Sequence, residues 1–188
     1  MSSDTEERRS KIGGSDVAAI MGLSKYNTKL GVYLDKKALI PPPELKNIMH
    51  VGLLLEPVLD RAYRLETGHA TIAPEEMFHK DVPCLSGHID RITTDRQRIV
   101  EFKTAGRYTY HKWGKPGTND VPTEYLIQSA AYMAIANIDV TDLFVGFLDE
   151  DDRKQLASID ELNTKQIASM SSELFTQLFY IERDLQFE

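Results

Sequence analysis

The sequence contains very little cysteine, since Cys84 is the only one among 188 residues. A single thiol cannot form an internal disulfide, and it offers no pair of cysteines around which a structural zinc site could be built. We therefore expect neither a disulfide-stapled secreted fold nor a zinc-stabilised one. Cys84 itself is predicted to be a small core or strand residue.

Long apolar stretches are also missing. The first ten residues, MSSDTEERRS, lack the apolar segment of a signal peptide, and the longest apolar runs are far shorter than the ~20 residues that cross a bilayer. With 41% hydrophobic and 27% charged residues, the composition is typical of a globular protein. We expect a cytoplasmic protein with one domain over residues 1–188, in which a core of about 8–148 precedes an acidic helical segment of about 158–188.

The chain has no excess of basic residues, because 22 Lys and Arg stand against 29 Asp and Glu and give a net charge of -7. This balance argues against a strongly basic, non-specific nucleic-acid binder. The acidic excess lies in residues 142–188, which hold 11 acidic and 4 basic residues, whereas the charges of residues 1–141 cancel. Two basic clusters remain in that neutral part, as solvated surface or as DNA contacts: Lys103, Arg107, Lys112 and Lys115, and Arg8, Arg9 and Lys11.

Helix caps and apolar periodicity predict three helices before the first strand. Ser15 or Asp16 can cap a helix through about Met21, Thr28 can cap a second through about Leu39, and a longer helix runs from near Leu54 to Gly68. The prolines from Pro41 to Pro43 predict a stiff break. Extended segments are predicted around Met77 and over 85–93, 98–104 and 143–148, and further helices over 123–137 and 160–184.

The segment LSGHIDRITTDRQRIVEFKT, residues 85–104, predicts a β-hairpin, because two β-rich runs flank a polar stretch suited to a tight turn. With Asp95 and Arg96 at the centre of the turn, Asp90 lies directly across from Glu101. Their Cβ atoms would be ~5 Å apart, where two carboxylates repel unless a positive charge lies between them. Lys103, two residues beyond Glu101, projects from the same face.

These three side chains are the groups that phosphodiester hydrolysis requires, namely oxygen ligands for a hard divalent cation and an ammonium that orients or activates the attacking water. The alternative is a solvent-facing strand pair in which Lys103 is an ordinary counter-charge. Glu56, among apolar residues near a helix start, is either a third ligand or a carboxylate favoured by the helix dipole. Gln128 and Tyr132, four apart on an apolar helix, are either satisfied core residues or partners of a water or a DNA phosphate.

Five segments in this order resemble the YqaJ-type viral recombinase family, a branch of the PD-(D/E)XK nucleases that is similar to lambda exonuclease. The segments are IGGSDVAAIMG at 12–22, LLLEPV at 53–58, SGHID at 86–90, EFK at 101–103 and QSAAY at 128–132. The resemblance runs from about residue 8 to residue 148. His88 and Ile89 stand where many relatives carry proline before the aspartate, and the acidic C-terminal segment matches no motif of the family.

The resemblance implies an α/β fold with a restriction-endonuclease-like core, in which a central mixed β-sheet is flanked by helices. It also implies a magnesium site, with manganese as a substitute. The implied ligands are Glu56, Asp90, Glu101 and the backbone carbonyl of Phe102. Lys103 would be the catalytic lysine, with Gln128 and Tyr132 beside it.

The resemblance further implies that Ser15, at a helix start, and either Arg8 or Arg9 contact the terminal phosphate of a DNA end. Arg107, Lys112 and Lys115, from the longer basic cluster, are the other candidate DNA contacts. Relatives close into a ring-shaped trimer around DNA, so a homo-oligomer is expected here.

The function implied is a 5′-to-3′ exonuclease on double-stranded DNA ends, which leaves a 3′ strand for a single-strand annealing protein during phage-type recombination. Two other hypotheses use the same fold. One is a structure-specific or restriction-like endonuclease, which a circular DNA substrate would distinguish because an exonuclease needs an end. The other is a non-catalytic DNA-binding or regulatory protein, against which the presence of Glu56, Asp90, Glu101 and Lys103 argues.

Overall fold

Seven α-helices and seven β-strands make up the part of the chain that the computed structural model describes, residues 3–41 and 47–186. The helices are α1 Ser3–Arg9, α2 Gly14–Ile20, α3 Lys29–Lys36, α4 Asn47–Thr67, α5 Thr123–Ala136, α6 Glu150–Leu156 and α7 Thr164–Glu173. The strands are β1 Thr71–Ile72, β2 Met77–Phe78, β3 Ser86–Gly87, β4 Arg91–Thr93, β5 Ile99–Gly106, β6 Val140–Leu148 and β7 Phe175–Glu182. A 3-10 helix, Arg107–Lys112, follows β5.

Five of the strands form one mixed sheet in the order β1-β4-β5-β6-β7. The strands β5 and β6 run parallel, and the other neighbours in this sheet run antiparallel. The strands β2 and β3 form a separate two-stranded ribbon. The central mixed sheet flanked by helices that the family resemblance implies is therefore confirmed.

The sheet is buried on both faces. Successive residues of a strand point to opposite sides, and neighbouring residues of β5 pack into different apolar clusters. On β5, Ile99 belongs to an apolar cluster that includes Tyr132 and Met133 of α5. The next residue, Val100, belongs to a cluster that includes Leu59 of α4. Burial on both faces accounts for the nearly continuous apolar sequence of β6, which is typical of a central strand with a parallel neighbour.

The strand β5 is much longer than its antiparallel neighbour β4. The β4–β5 ladder consists of the pairs Arg91↔Val100 and Ile92↔Ile99, whereas β5 continues beside β6 as far as Gly106. Beyond Val100, one edge of β5 thus runs past the end of β4. The part of β5 that the sequence analysis singled out, from Glu101 onward, lies along this edge.

The ends of the first helices differ from the predicted ones. Gly13, rather than Ser15 or Asp16, is the N-cap of α2, and the Asp16 carboxylate instead accepts the Gly13 N–H at 2.9 Å. Thr28 caps α3 as predicted, since its hydroxyl accepts a backbone N–H three residues further on at 3.1 Å. The cap of α2 was misplaced because Asp16 closes the turn from the third helical position, where an acidic side chain reaches back to the cap.

The helix α4 is longer than predicted, since it begins at Asn47 rather than near Leu54. It ends where expected, just before Gly68, whose φ of 76° is the left-handed conformation that favours glycine at a helix end. The helix α1 was not predicted at all. Pro42 and Pro43, from the predicted proline break, lie outside the described residues.

The prediction of one helix over 160–184 is wrong. The helix α7 ends at Glu173, and the sequence FTQLFYIE that follows forms β7, which pairs antiparallel with β6. Aromatic and β-branched residues favour a strand here, and Leu178, Phe179 and Ile181 are buried in the core. The helix α6 was also missed. The acidic C-terminal segment therefore supplies a strand of the central sheet.

The single extended segment predicted over 85–93 is broken into β3 and β4, with a bend between them that contains Asp90. The prediction for Cys84 is wrong as well, because its side chain is exposed. It lies in the turn before β3, where the constraint falls on its backbone: the Cys84 carbonyl accepts the Ile12 N–H at 2.7 Å.

Across the described ranges 3–41 and 47–186, none of the helices is both long enough and apolar enough to cross a bilayer.

Two glycines allow α2 and β3 to approach closely to one tyrosine of α5. A Cβ on Gly14 would lie 2.6 Å from Cε1 of Tyr132, and a Cβ on Gly87 would lie 3.0 Å from Cδ1 of the same ring. Gly14 is the first residue of α2 and Gly87 is the last residue of β3. The Tyr132 ring of α5 therefore contacts both of these elements. The close approach brings the start of α2 next to α5 and to the segment that leads into Asp90.

We predict that Gly14→Ala destabilises the protein by about 1–3 kcal/mol, because the new methyl group forces the packed Tyr132 ring to move. The matched control is Gly52→Ala in α4, where the nearest atom to the new Cβ is Thr104 Oγ1 at 3.9 Å. This change should stabilise the protein by up to about 1 kcal/mol through helix propensity. Urea unfolding of both variants measures the difference, and equal effects would contradict the packing described for Gly14.

Candidate active site

The predicted hairpin forms in the predicted register. Arg91 pairs with Val100 and Ile92 with Ile99, which places Asp90 opposite Glu101 at the point where the ladder ends. Both carboxylates accept backbone N–H groups across the hairpin: the Asp90 N–H donates to Glu101 Oε1 at 3.3 Å, and the Phe102 N–H donates to Asp90 Oδ2 at 2.7 Å. Each carboxylate is thus held by the strand opposite, and the two remain side by side.

Glu101 is an almost completely buried carboxylate, with 1% of the residue exposed. The pKa of Glu101 is raised to about 8, chiefly because the carboxyl is buried; the Lys103 charge opposes this rise, and the neighbouring Asp90 carboxylate adds to it. Lys103 donates from Nζ to Glu101 Oε2 at 3.1 Å. Burial lowers the pKa of Lys103, but the carboxylates of Glu101 and Asp90 outweigh that effect and raise it above its ordinary value. The three groups form one electrostatic unit.

Glu56 lies on α4 across from this pair, and its carboxylate contacts Arg91. The Arg91 Nη1 donates to Glu56 Oε1 and to the Asp90 carbonyl oxygen. Arg91 Nε also lies 3.8 Å from Asp60 Oδ1, one turn along α4. The Arg91 guanidinium carbon lies 5.9 Å from the centre of the Phe102 ring. Glu56 therefore stands at the site with a cationic partner already in place.

A cavity of about 360 Å³ opens between α4 and the edge of β5. Its lining includes Glu56, Asp90, Phe102, Lys103 and Thr104. Among residues 3–41 and 47–186, no three His, Cys, Asp or Glu side chains lie close enough together to hold a metal ion. Asp90 and Glu101 are held together by the hairpin, whereas Glu56 contacts Arg91. The available donors are carboxylate oxygens, and these fit a hard cation such as Mg²⁺.

The helix α5 carries Gln128 and Tyr132 on one face, as their spacing of four predicts. Gln128 Nε2 donates to the Tyr132 hydroxyl at 3.0 Å. Burial raises the pKa of Tyr132 to about 12, and Glu101 contributes to the rise. Tyr125, on the same helix, lies with its ring centre 5.9 Å from Lys103 Nζ and stacks on Trp113 at 5.3 Å. A polar and aromatic wall thus lines one side of Lys103.

The residues predicted to contact a terminal phosphate differ in how exposed they are. Ser15 is exposed and follows Gly14, whose backbone packs against Tyr132. Arg8 is partly exposed and forms an ion pair with Asp35 at 2.7 Å. Arg9 is buried, and its Nη2 donates to the Ile40 carbonyl at 2.7 Å. Of the two arginines, Arg8 is the one that solvent and ligands can reach.

The other predicted DNA contacts follow β5 directly. Arg107 begins the 3-10 helix, pairs with Asp149 at 3.3 Å, and lies over the Phe175 ring. Lys112 ends that helix and Lys115 lies in the loop beyond it, and both are exposed. These cations therefore extend from the end of the strand that carries Lys103.

Sequence reasoning missed three residues of the site: Arg91, Asp60 and Tyr125. Arg91 follows Asp90 directly, and its charge beside a candidate ligand was the available signal. Asp60 stands four residues after Glu56 and hence on the same face of α4. Tyr125 precedes Gln128 by three residues, and the same helical spacing could have placed it beside Lys103.

Residues 5–139 match the family described as the YqaJ-like viral recombinase domain. A curated relative is the uncharacterized protein YqaJ of Bacillus subtilis (strain 168), which is 28% identical over 131 residues. That match covers 69% of this chain but 40% of the Bacillus protein, so the chain spans less than half the length of this relative.

Solved structures of the same fold include an alkaline exonuclease, LHK-Exo, from Laribacter hongkongensis. Its TM-score is 0.68 at 21% identity, over 97% of this chain and 82% of that one. LHK-Exo in complex with dAMP has a TM-score of 0.64 at 20% identity, over 96% and 81% of the chains. A phage-related exonuclease from Haemophilus somnus 129PT has a TM-score of 0.61 at 16% identity, over 94% and 86%. These likenesses show the fold.

Proposed function

Because the chain belongs to the family of YqaJ-like viral recombinase domains, we propose that it is a metal-dependent exonuclease that acts on the ends of linear double-stranded DNA. The family match includes all five segments on which the sequence resemblance rests, so that resemblance is confirmed. Two proteins of the same fold are described as exonucleases, and one of them was solved in complex with dAMP. The 5′-to-3′ direction is proposed from the family resemblance.

The observation that carries the proposal is the placement of Asp90, Glu101 and Lys103 at the open edge of β5. Two carboxylates that the hairpin holds together, one of them buried, form an arrangement that is costly without a positive partner. Lys103 offsets one charge, and a divalent cation would offset the rest. Such a cation would neutralise charge on the attacked phosphate and favour attack by water.

Each residue of the site has a proposed task. Asp90 and Glu101 bind the cation, and the Phe102 carbonyl is a further donor, because the N–H and C=O of one strand residue point to the same side and the Phe102 N–H points to Asp90. Lys103 orients or activates the attacking water. Glu56 is the third carboxylate, once its contact with Arg91 is released.

Gln128 and Tyr132 hold their hydrogen bond beside Lys103 and position the water or the scissile phosphate. The cation is proposed to be Mg²⁺, with Mn²⁺ as a substitute, since every proposed donor is an oxygen. The contacts with the DNA backbone are proposed to come from Arg107, Lys112 and Lys115, which follow β5 away from the catalytic edge.

The resemblance also supports a ring of three copies around DNA and a single-strand annealing protein as partner. A ring that encloses its substrate makes processivity independent of a strongly basic surface, and the net charge of -7 is compatible with it. The protein is proposed to act in the cytoplasm of a bacterial host or a phage-infected cell.

The experiment that tests the function compares a linear duplex, labelled at either end, with a closed circular duplex of the same sequence. We expect nucleotides to be released from the linear DNA in Mg²⁺ or Mn²⁺, no release in excess chelator, and no cleavage of the circle. Cleavage of the circle would instead support the endonuclease hypothesis. Absence of cleavage of any DNA would support the non-catalytic one.

The variant Lys103→Ala should lower the rate of nucleotide release at least ~100-fold while DNA affinity changes little, because the ammonium acts mainly in the transition state. Its matched contrast is Lys112→Ala, which removes a peripheral cation and should weaken binding and flatten its salt dependence. Single-turnover rates and binding isotherms separate the two effects. A loss of affinity alone in Lys103→Ala would reassign this residue to phosphate anchoring.

We predict that a 5′-phosphorylated duplex is degraded faster than the same duplex with a 5′-hydroxyl, because Ser15 and Arg8 offer a hydroxyl and a guanidinium to a doubly charged group. Ser15→Ala and Arg8→Ala should each lower the ratio of the rate on the phosphorylated end to the rate on the hydroxylated end. This ratio should fall by a larger factor than the rate on the hydroxylated end. The control Arg9→Ala alters a buried arginine, and it should lower stability without changing the ratio. Equal rates on both ends in the wild type would contradict a phosphate pocket here.

A further inference from the structure

A single arginine, Arg91, contacts two carboxylates of α4 and the backbone carbonyl of Asp90. It lies on β4 directly after Asp90, and 15% of its side chain is exposed. Its Nη1 donates to Glu56 and, at 2.5 Å, to the Asp90 carbonyl, while its Nε lies 3.8 Å from Asp60. The guanidinium is therefore placed between two carboxylates that are one helical turn apart.

The two carboxylates differ in how firmly they are held. Asp60 accepts from the Thr71 hydroxyl at 2.5 Å and pairs with Arg64 at 2.8 Å, so it keeps its position whether or not Arg91 contacts it. Glu56 is bound by Arg91, and its side chain lines the cavity that Asp90 also lines. A small rotation of the guanidinium toward Asp60 would release Glu56 into that cavity.

We propose that Arg91 is a built-in competitor of the divalent cation: it neutralises Glu56 while the site is free, and it passes to Asp60 when the cation takes Glu56. This inference rests on the proposed function, because it requires that the site bind a cation. Arg91 is a positioning residue in this account, since it acts through Glu56 and does not touch the reacting phosphate. In either state Glu56 has one positive partner, which is the Arg91 guanidinium or the divalent cation.

The Phe102 ring guides this exchange. The guanidinium lies 5.9 Å from the ring centre, and the backbone N–H of the same residue binds Asp90. A cation over an aromatic face is attracted by the ring, so the ring can hold the guanidinium during the exchange. A methionine in place of Arg91 would keep the contact of the stem with the ring while removing the charge.

The test measures the binding of Mn²⁺ alone to the full chain by titration calorimetry. Arg91→Met should bind Mn²⁺ more tightly by at least about fivefold, because a positive charge near the cation is removed and Glu56 is released. Asp60→Asn should have the opposite effect and bind at least about threefold more weakly, because Arg91 loses its second carboxylate and stays on Glu56. In the double variant the effect of Asp60→Asn should vanish.

The control is Arg183→Met, which removes an equal charge that pairs with Asp139. Arg183 directly follows β7, which pairs with β6 on the side away from β5. It should leave the Mn²⁺ affinity unchanged. Thermal unfolding establishes that each variant is folded, and if Arg91→Met does not fold, the sign of the Asp60→Asn effect decides. A merely structural Arg91 would change the unfolding temperature and leave the affinity as it is.

Unchanged or weaker Mn²⁺ binding by folded Arg91→Met, or tighter or unchanged binding by Asp60→Asn, would overturn the competition while leaving the proposed function intact. Failure of the wild type to bind Mn²⁺ would overturn both the competition and the metal-dependent function. The two failures are therefore distinguishable in one set of titrations.

Discussion

The site depends on one electrostatic conflict, the enforced closeness of the Asp90 and Glu101 carboxylates. Both side chains are fixed by backbone N–H groups, since Glu101 accepts from Asp90 and Asp90 accepts from Phe102. Neither can turn away without losing a hydrogen bond in a partly buried place, which costs ~1–3 kcal/mol. The hairpin therefore maintains a negative charge density that Lys103 offsets only in part. In the proposed function, a divalent cation would offset the remaining charge at the edge of β5 that β4 leaves unpaired.

The distribution of charge along the chain agrees with this arrangement. The acidic excess of residues 142–188 lies largely in α6, α7 and β7 and in the segments between them. The strand β7 of this acidic segment is separated from β5 by β6 in the sheet, whereas Leu156 of α6 and Met170 of α7 pack with Leu54 of α4. The charge of -7 is therefore unevenly distributed along the chain: Arg107, Lys112 and Lys115 follow Lys103 without an acid among them, and Arg107 pairs with Asp149 of the acidic segment.

Local chemistry made part of this structure predictable. The polar turn at Asp95 and Arg96 set the hairpin register, and the register alone put Asp90 beside Glu101. Spacing of four likewise placed Gln128 against Tyr132. The pairing of β7 with β6 could not be read in the same way, because a short apolar run is compatible with helix or strand until a partner strand is known. The role of Arg91 could not be predicted for a similar reason. Its contact with Glu56 joins residues 35 apart in sequence, and only the packing of α4 against the hairpin brings them together.

The most direct test of the central claim is calorimetric unfolding of the wild type and Asp90→Asn over a series of Mn²⁺ concentrations. Binding to the folded state alone stabilises a protein by about 2.7 kcal/mol at a hundred times the dissociation constant. We predict that the wild-type unfolding temperature rises with Mn²⁺ and that the rise is largely lost in Asp90→Asn, whose metal-free stability should equal or exceed that of the wild type because the repulsion from Glu101 is relieved. An equal rise in both proteins, or a metal-free variant that unfolds well below the wild type, would contradict the assignment of Asp90 and Glu101 as a cation site.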